Sequence, residues 1–275
     1  MVDIMDLKLQ GKRALVTGSN SGIGAGIARK LVQEGVAVII HGREEKRAQD
    51  VAAELRDAGG GVAVVVGNLE TVTGAEHVAG EALAAFGGID ILVNNVGGRA
   101  DEGAPVDFFD IDEELWNATF NLNVTAAVRL IRRLAGPMKA RGWGRIIQIG
   151  SFSALAPSGS IPEFSSSKSG LLNLTLSLSK TLGKSGITVN SVSPGLTATR
   201  ALDQWLDNLA KQKGFGSDRE KAVQWVLDGP YKQTVGRLGT PEDIGGVVAF
   251  LCSPLADLIN GTNIHVDGGV GSTLS

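Results

Sequence analysis

The chain has 275 residues, 43% of them apolar, with a net charge of −3 and one cysteine, Cys252. It can bury a large core, and its charge aims no strong field at nucleic acid or an anionic membrane. A lone cysteine excludes an internal disulfide and a cysteine metal cluster, and no apolar run reaches the roughly 20 residues that span a bilayer. Short Val/Ile-rich runs then alternate with longer stretches of helical period. Residues 13–17 read as a buried strand and 23–34 as a helix ended by Gly35. Residues 36–40 are a second strand, and 44–58 a charged amphipathic helix ended by three glycines. Residues 62–66 are a third strand, with 71–86 helical after it. Residues 89–93 are a fourth, followed by a polar loop to about Asp112 and a long helix over 113–141. Strand five is 145–149, and a helix begins near Phe164 and runs to Gly183. Strand six is 188–192, a polar region containing tryptophans covers 201–236, 241–253 is a helix and 263–266 a last strand.

Continuous Val/Ile-rich strands are expected where both faces of a sheet are covered. Repeated β-α units demand parallel pairing with right-handed crossovers. The expectation is one α/β domain over 1–275, a doubly wound parallel sheet of about seven strands with helices on both faces. Its ligands would sit beyond the carboxyl ends of the strands. Residues 1–10 lack the basic-then-apolar layout of a signal peptide, so a cytoplasmic protein is expected. Cys252, in an apolar helical run, reads as a buried core thiol.

Thr17 to Gly24 joins strand one to helix one as Thr-Gly-Ser-Asn-Ser-Gly-Ile-Gly. Gly18 allows a tight turn, Gly22 lets backbone approach a pyrophosphate, and Gly24 lets the helix pack closely. The helix start offers unpaired N–H groups and a positive dipole to phosphate. Gly18, Ser19, Asn20, Ser21, Gly22, Ile23 and Gly24 are therefore candidate nucleotide contacts; a plain turn is the alternative. The second strand ends His41-Gly42-Arg43, without the acid that holds a ribose 2′-hydroxyl. Arg43 is suited to a 2′-phosphate, which favours NADP(H) with NAD(H) as the alternative; a solvated helix-start arginine is the competing reading. His41 is assigned no catalytic part.

The stretch from Gly150 to Lys168 follows strand five with a serine, a Pro/Ser/Gly loop and a helix carrying Phe164 and Lys168 one turn apart. By these motifs the chain closely resembles the short-chain dehydrogenase/reductase family. The resemblance rests on Thr17 to Gly24, Asn94-Asn95-Val96-Gly97, Asn123 seven residues after Trp116, Ser151, Phe164-x-x-x-Lys168, and Pro194-Gly195 with Thr199 four residues on. The general type resembles the β-ketoacyl carrier-protein reductase branch.

The resemblance implies a Rossmann-type domain binding NADP(H) or NAD(H). It implies that Asn95 and Gly97 border the cofactor and that Asn68-Leu69 stands where the family places an acid against adenine. Lys168 would hold the nicotinamide ribose, and Pro194, Gly195, Thr197 and Thr199 would seat the carboxamide and phosphates. Ser151 would bind the substrate oxygen, and Asn123 a water leading to Lys168. In the family, hydride passes between the nicotinamide and a carbonyl carbon while a tyrosine hydroxyl moves the proton.

Phe164 occupies the tyrosine position, four before Lys168 and 13 after Ser151; the only tyrosine is Tyr231. Three readings stay open. One is a carbonyl/alcohol oxidoreductase carrying a Tyr→Phe change that removes its proton donor. A second is a native phenylalanine in a reductase of an imine or activated alkene. A third is an inactive cofactor- or ligand-binding protein. Among substitute acids, Glu163 leaves the helix about 100° from position 164, Ser167 is a poor acid, and Tyr231 arrives only if the variable region covers the pocket. Water held by Ser151, Asn123 and Lys168 is the favoured replacement.

Residues 199–236 hold several apolar aromatics and are expected to form a substrate lid, implying a medium-sized, largely apolar small-molecule substrate. Arg99 and Asp101 line the entrance or lie in a solvated loop. The helices over 113–141 and 165–183, with the ending Gly261 to Gly269, resemble the family's subunit contacts and imply a dimer or homotetramer.

Overall fold

The computed structural model describes residues 6–101, 107–229 and 231–270. The signal-peptide reading at residues 1–5 and the loop at 102–106 lie outside the described residues. The first strand, β1, is Arg13–Val16, and α1 is Gly22–Gln33. They are followed by β2 (Ala37–Gly42), α2 (Glu45–Asp57), β3 (Val62–Val66), α3 (Val72–Ala85) and β4 (Ile91–Asn94). Beyond the loop come α4 (Glu113–Phe120), α5 (Ala126–Arg141), β5 (Gly144–Ile149), α6 (Pro162–Thr181) and β6 (Ile187–Pro194). The chain continues through α7 (Arg200–Gln212), α8 (Arg219–Asp228), α9 (Pro241–Cys252) and β7 (Asn263–Val266).

All seven strands pair in parallel in the order β3-β2-β1-β4-β5-β6-β7. Successive side chains point to opposite faces, so each strand feeds two cores. Val16, Ile40, Val93 and Ile147 face α1, α2 and α9; Leu15, Ile39, Leu92 and Ile146 face α3, α5 and α6. This double burial explains the unbroken apolar strands. The strand order reverses between β1 and β4, which leaves a crevice at their carboxyl ends.

The expected helix over 113–141 is not uniform. Between α4 and α5, Asn121–Thr125 forms a π turn. Its centre, Asn123, is buried and turned toward the loop after β4. The chain stays helical on both sides of it, and the residue types alone did not disclose the change of winding. Arg145 is a second departure: it is 1% exposed at the start of β5, lies 4.3 Å over the Trp143 ring and pairs with Asp257. Helices α7 and α8 build a small core of their own from Leu206, Leu209, Ala210, Ala222 and Val226. Cys252 is buried, as expected, and burial pushes its thiol up to about 12, leaving it unreactive. Among the described residues no helix is long and apolar enough to cross a membrane.

Candidate active site

The glycine loop is held by partners from three strands. Asn95 donates its side-chain N–H groups to Thr17 O at 2.8 Å and Gly18 O at 3.2 Å. The Thr17 hydroxyl accepts from the N–H groups of Asn95 and Val96 at 2.9 and 3.0 Å. His41 closes the other side: its Nδ1 accepts from Gly18 N–H at 3.1 Å, so Nε2 carries the proton and donates to Gly67 O at 3.2 Å. Burial lowers its pKa to about 4, against a smaller opposing effect of the Gly67 carbonyl. A neutral imidazole is required, because a protonated ring has no lone pair for Gly18.

Ser19 is buried and turned inward. Its hydroxyl donates to Val16 O at 2.7 Å and accepts from His41 N–H at 3.0 Å, so its side chain braces the loop, correcting the expectation of a cofactor contact. Gly24 is where a side chain cannot fit: a Cβ there would lie 2.4 Å from Gly18 O. Ser21 makes no side-chain cap on α1, so the first N–H groups of that helix keep their capacity for a phosphate.

A cleft of about 370 Å³ opens at the strand ends. Of the expected residues it collects Gly18, Ser21, Gly22, Ile23, Gly24, Asn95 and Gly97 on one side. Ser151, Phe164, Lys168, Pro194, Gly195 and Thr199 complete it. Lys168 is buried and donates from Nζ to Ile149 O at 2.8 Å, 5.8 Å from the Phe164 ring centroid. Burial alone brings its pKa down to about 8. Ser151 Oγ lies 2.8 Å from Ser153 Oγ and accepts from Ser153 N–H at 3.2 Å. Gly97 is a second close approach: a Cβ would sit 2.5 Å from Asn123 Oδ1 and 2.8 Å from Lys168 Nζ.

Other expected residues lie outside this lining. Asn123 spends its side chain on structure, donating to Gly98 O, Thr119 O and Ser167 Oγ and accepting from Gly98 N–H. Its amide thus ties α4, α6 and the loop after β4 together. Asn68 is exposed and accepts from Glu70 N–H at 3.0 Å, while Leu69 is 3% exposed within the α3–α5 core. Leu69 therefore has no side-chain route to a cofactor. Thr197 is buried and donates to Gly195 O. Asn20 rests against Gly42 at the end of β2, and Arg43 beside it is 67% exposed, 3.5 Å from Glu70. This corner is open, and its one cation already has a carboxylate neighbour.

The substitute acids are also placed. Glu163 is fully buried and meets Arg99 Nε at 2.8 Å; Arg99 in turn meets Asp101 at 3.2 Å. Glu163 thus turns away from the cleft, and Arg99 is no solvated loop residue. Ser167 donates to Phe164 O at 2.7 Å and is committed. The variable segment meets the turn after β5, where Tyr231 packs edge-on against Phe152 at 5.5 Å and Trp205 at 6.2 Å, and none of these three rings lines the cleft. Burial raises the Tyr231 phenol above its ordinary pKa, making it a weaker acid. Sequence reasoning missed His41 as a brace, Ser153 as the partner of Ser151, and Arg200, which lines the cleft. The one available signal for Arg200 was its place directly after Thr199.

A family model described as Enoyl-(Acyl carrier protein) reductase matches residues 18–271. The chain belongs to the short-chain dehydrogenase/reductase family. The uncharacterized oxidoreductase YvaG of Bacillus subtilis is 36% identical over 97% of this chain and 98% of its own length. Human dehydrogenase/reductase SDR family member 4 is 34% identical, over 97% of this chain and 90% of that one. Among solved structures, L-sorbose reductase from Gluconobacter frateurii, complexed with NADPH and L-sorbose, superposes with a TM-score of 0.92. It is 34% identical, covering 98% of this chain and all of that one. The seven-stranded parallel sheet and its crevice are thus those of a family of oxidoreductases.

Proposed function

We propose that this chain is an NADP(H)-dependent oxidoreductase that interconverts a carbonyl and a secondary alcohol on a medium-sized, largely apolar substrate. The observation that carries this reading is the convergence of Ser151, Phe164 and Lys168 on the cleft opened by the glycine loop. The residues present fit a dinucleotide. The α1 start has no side-chain cap, the lining contains no carboxylate, and Gly24 lets α1 pack directly against the glycine-loop backbone. NADP(H) is favoured because β2 ends without an acid and with Arg43, and the sorbose reductase neighbour is an NADPH complex. NAD(H) is the alternative cofactor.

When bound, this cofactor supplies hydride transfer. The chain's part is to bind, orient and move a proton. The α1 N-terminus and the backbone about Pro194-Gly195 hold phosphate and carboxamide. Lys168, a cation below pH of about 8, lies where it can hold ribose hydroxyls and polarise a water. Ser151, oriented by Ser153, donates to the substrate oxygen. Phe164 keeps the ring of a proton donor without its hydroxyl, so the proton comes through water beside Lys168, and carbonyl turnover is slow. That deficit also favours a second reading, reduction of an imine or activated alkene, where less acid help is needed.

The segment 199–236 acts as the substrate lid, and Phe152, Trp205 and Tyr231 supply an apolar wall beside Ser151. A homo-oligomer is supported by Phe108, Phe109 and Leu176, exposed beside α4 and on α6. The test is NADPH consumption with a panel of ketones, comparing the parent with Phe164→Tyr. A rise of roughly 10²–10⁴-fold, the scale of a general acid, supports the carbonyl reading. Equal rates on the preferred ketone would overturn it.

A further inference from the structure

The cleft has an unbalanced charge inventory. Its lining holds two cations, Lys168 and Arg200, and no carboxylate. Lys168 is buried against Ile149 O at the Ser151 end. Arg200 is exposed at the other end, as the first residue of α7. Its neighbour Thr199 puts a methyl group 3.4 Å from where a Cβ on Gly22 would be, so α7 begins directly over the uncapped start of α1. No carboxylate engages Arg200 among the described residues. The nearest acid on its own helix, Asp203, faces Arg219 at 3.7 Å. By contrast Arg43 is beside Glu70, and His41 is neutral and buried.

From this placement we infer that Arg200 is a pyrophosphate clamp: its guanidinium closes over the diphosphate of the dinucleotide from the side opposite the α1 N-terminus. The inference rests on the dinucleotide reading of the cleft. It adds a cation that the glycine loop, which has no basic residue, does not supply. A planar fork of N–H donors matches two phosphate oxygens, and the pairing is stronger than with a neutral donor. Arg200 also opens the α7–α8 unit, whose apolar cluster is separate from the two sheet-facing cores. Binding of the diphosphate therefore tethers the first turn of the lid.

The test is equilibrium titration of NADPH and NADH by fluorescence of the bound reduced nicotinamide, in the parent, Arg200→Gln, Arg200→Lys and Arg43→Gln. The diphosphate is common to both cofactors, so Arg200→Gln is expected to weaken both alike, by roughly tenfold, the scale of one charge-assisted hydrogen bond. Arg200→Lys should recover part of the loss, and raised salt should weaken the parent more than Arg200→Gln. Arg43→Gln should weaken NADPH alone. Hydrogen exchange over 200–212 should slow when NADPH binds the parent and not when it saturates Arg200→Gln. Unchanged affinities in Arg200→Gln, or a loss confined to NADPH, would overturn the clamp while leaving the dinucleotide reading intact. A parent chain that binds neither cofactor would sink both.

Discussion

The substitution Phe164→Tyr should create a phenol that ionises below its ordinary range. The ring at 164 lines the cleft one helical turn before Lys168, whose Nζ is 5.8 Å from the ring centroid. An isolated phenol ionises at about 10. A cation within about 4–6 Å favours the phenolate and lowers that value by about 1–3 units. The new group is therefore expected to titrate between about 7 and 9. The coupling is reciprocal, so Lys168 should rise from about 8 as the phenolate forms. The measurement is clean because the chain's only other phenol is Tyr231, which burial pushes upward. Ultraviolet difference titration of Phe164→Tyr against the parent should show one phenolate forming well below the Tyr231 transition. Adding Lys168→Met should return it to about 10 or above. A phenol at 164 that titrates at its ordinary value with Lys168 intact would refute the claim that this lysine tunes a proton donor.

Three further outcomes follow from the site. His41 has its pKa lowered from 6.5 to about 4, so between those values the unfolded chain binds a proton that the native chain does not. Stability should fall as pH drops through that window, by up to about 3 kcal/mol, and urea midpoints of His41→Asn should lose this component. Lys168 carries its charge only below about pH 8, so NADPH affinity, followed by titration, should decline as pH rises through that value. The substitution Gly97→Ala places a Cβ 2.5 Å from Asn123 Oδ1 and 2.8 Å from Lys168 Nζ. It should cost about 1–3 kcal/mol in denaturant unfolding and weaken NADPH binding together with it.

Much of the architecture was legible because it is local. Strands β3 and β7 match their expected ranges residue for residue, and the other strands are displaced at their ends only. The glycine loop and the stretch after β5 converge on one cleft, as their motifs implied. What escaped sequence reasoning depends on contacts between distant residues. Nothing local to His41 says that its ring will bridge Gly18 and Gly67. Nothing local to Glu163 names Arg99, and neither residue type is ordinarily expected to be buried. Asn123 was read as a site group and Ser167 weighed as a poor substitute acid. Only the packing of α6 on the π turn shows their side chains spent on each other and on backbone.

The order of residues by itself determined the alternation of strands and helices, and hence a sheet covered on both faces with a crevice where strand order reverses. It also places a phenylalanine four residues before Lys168, where the family resemblance leads one to expect a tyrosine. Tertiary structure decided which polar groups remain available at that crevice. Ser19, Asn123, Ser167 and Glu163 are consumed by partners, while Ser151, Lys168 and Arg200 line the opening. The physical reason is that burial makes every polar atom take a partner or pay its desolvation, and those partners come from whichever elements the fold packs beside it.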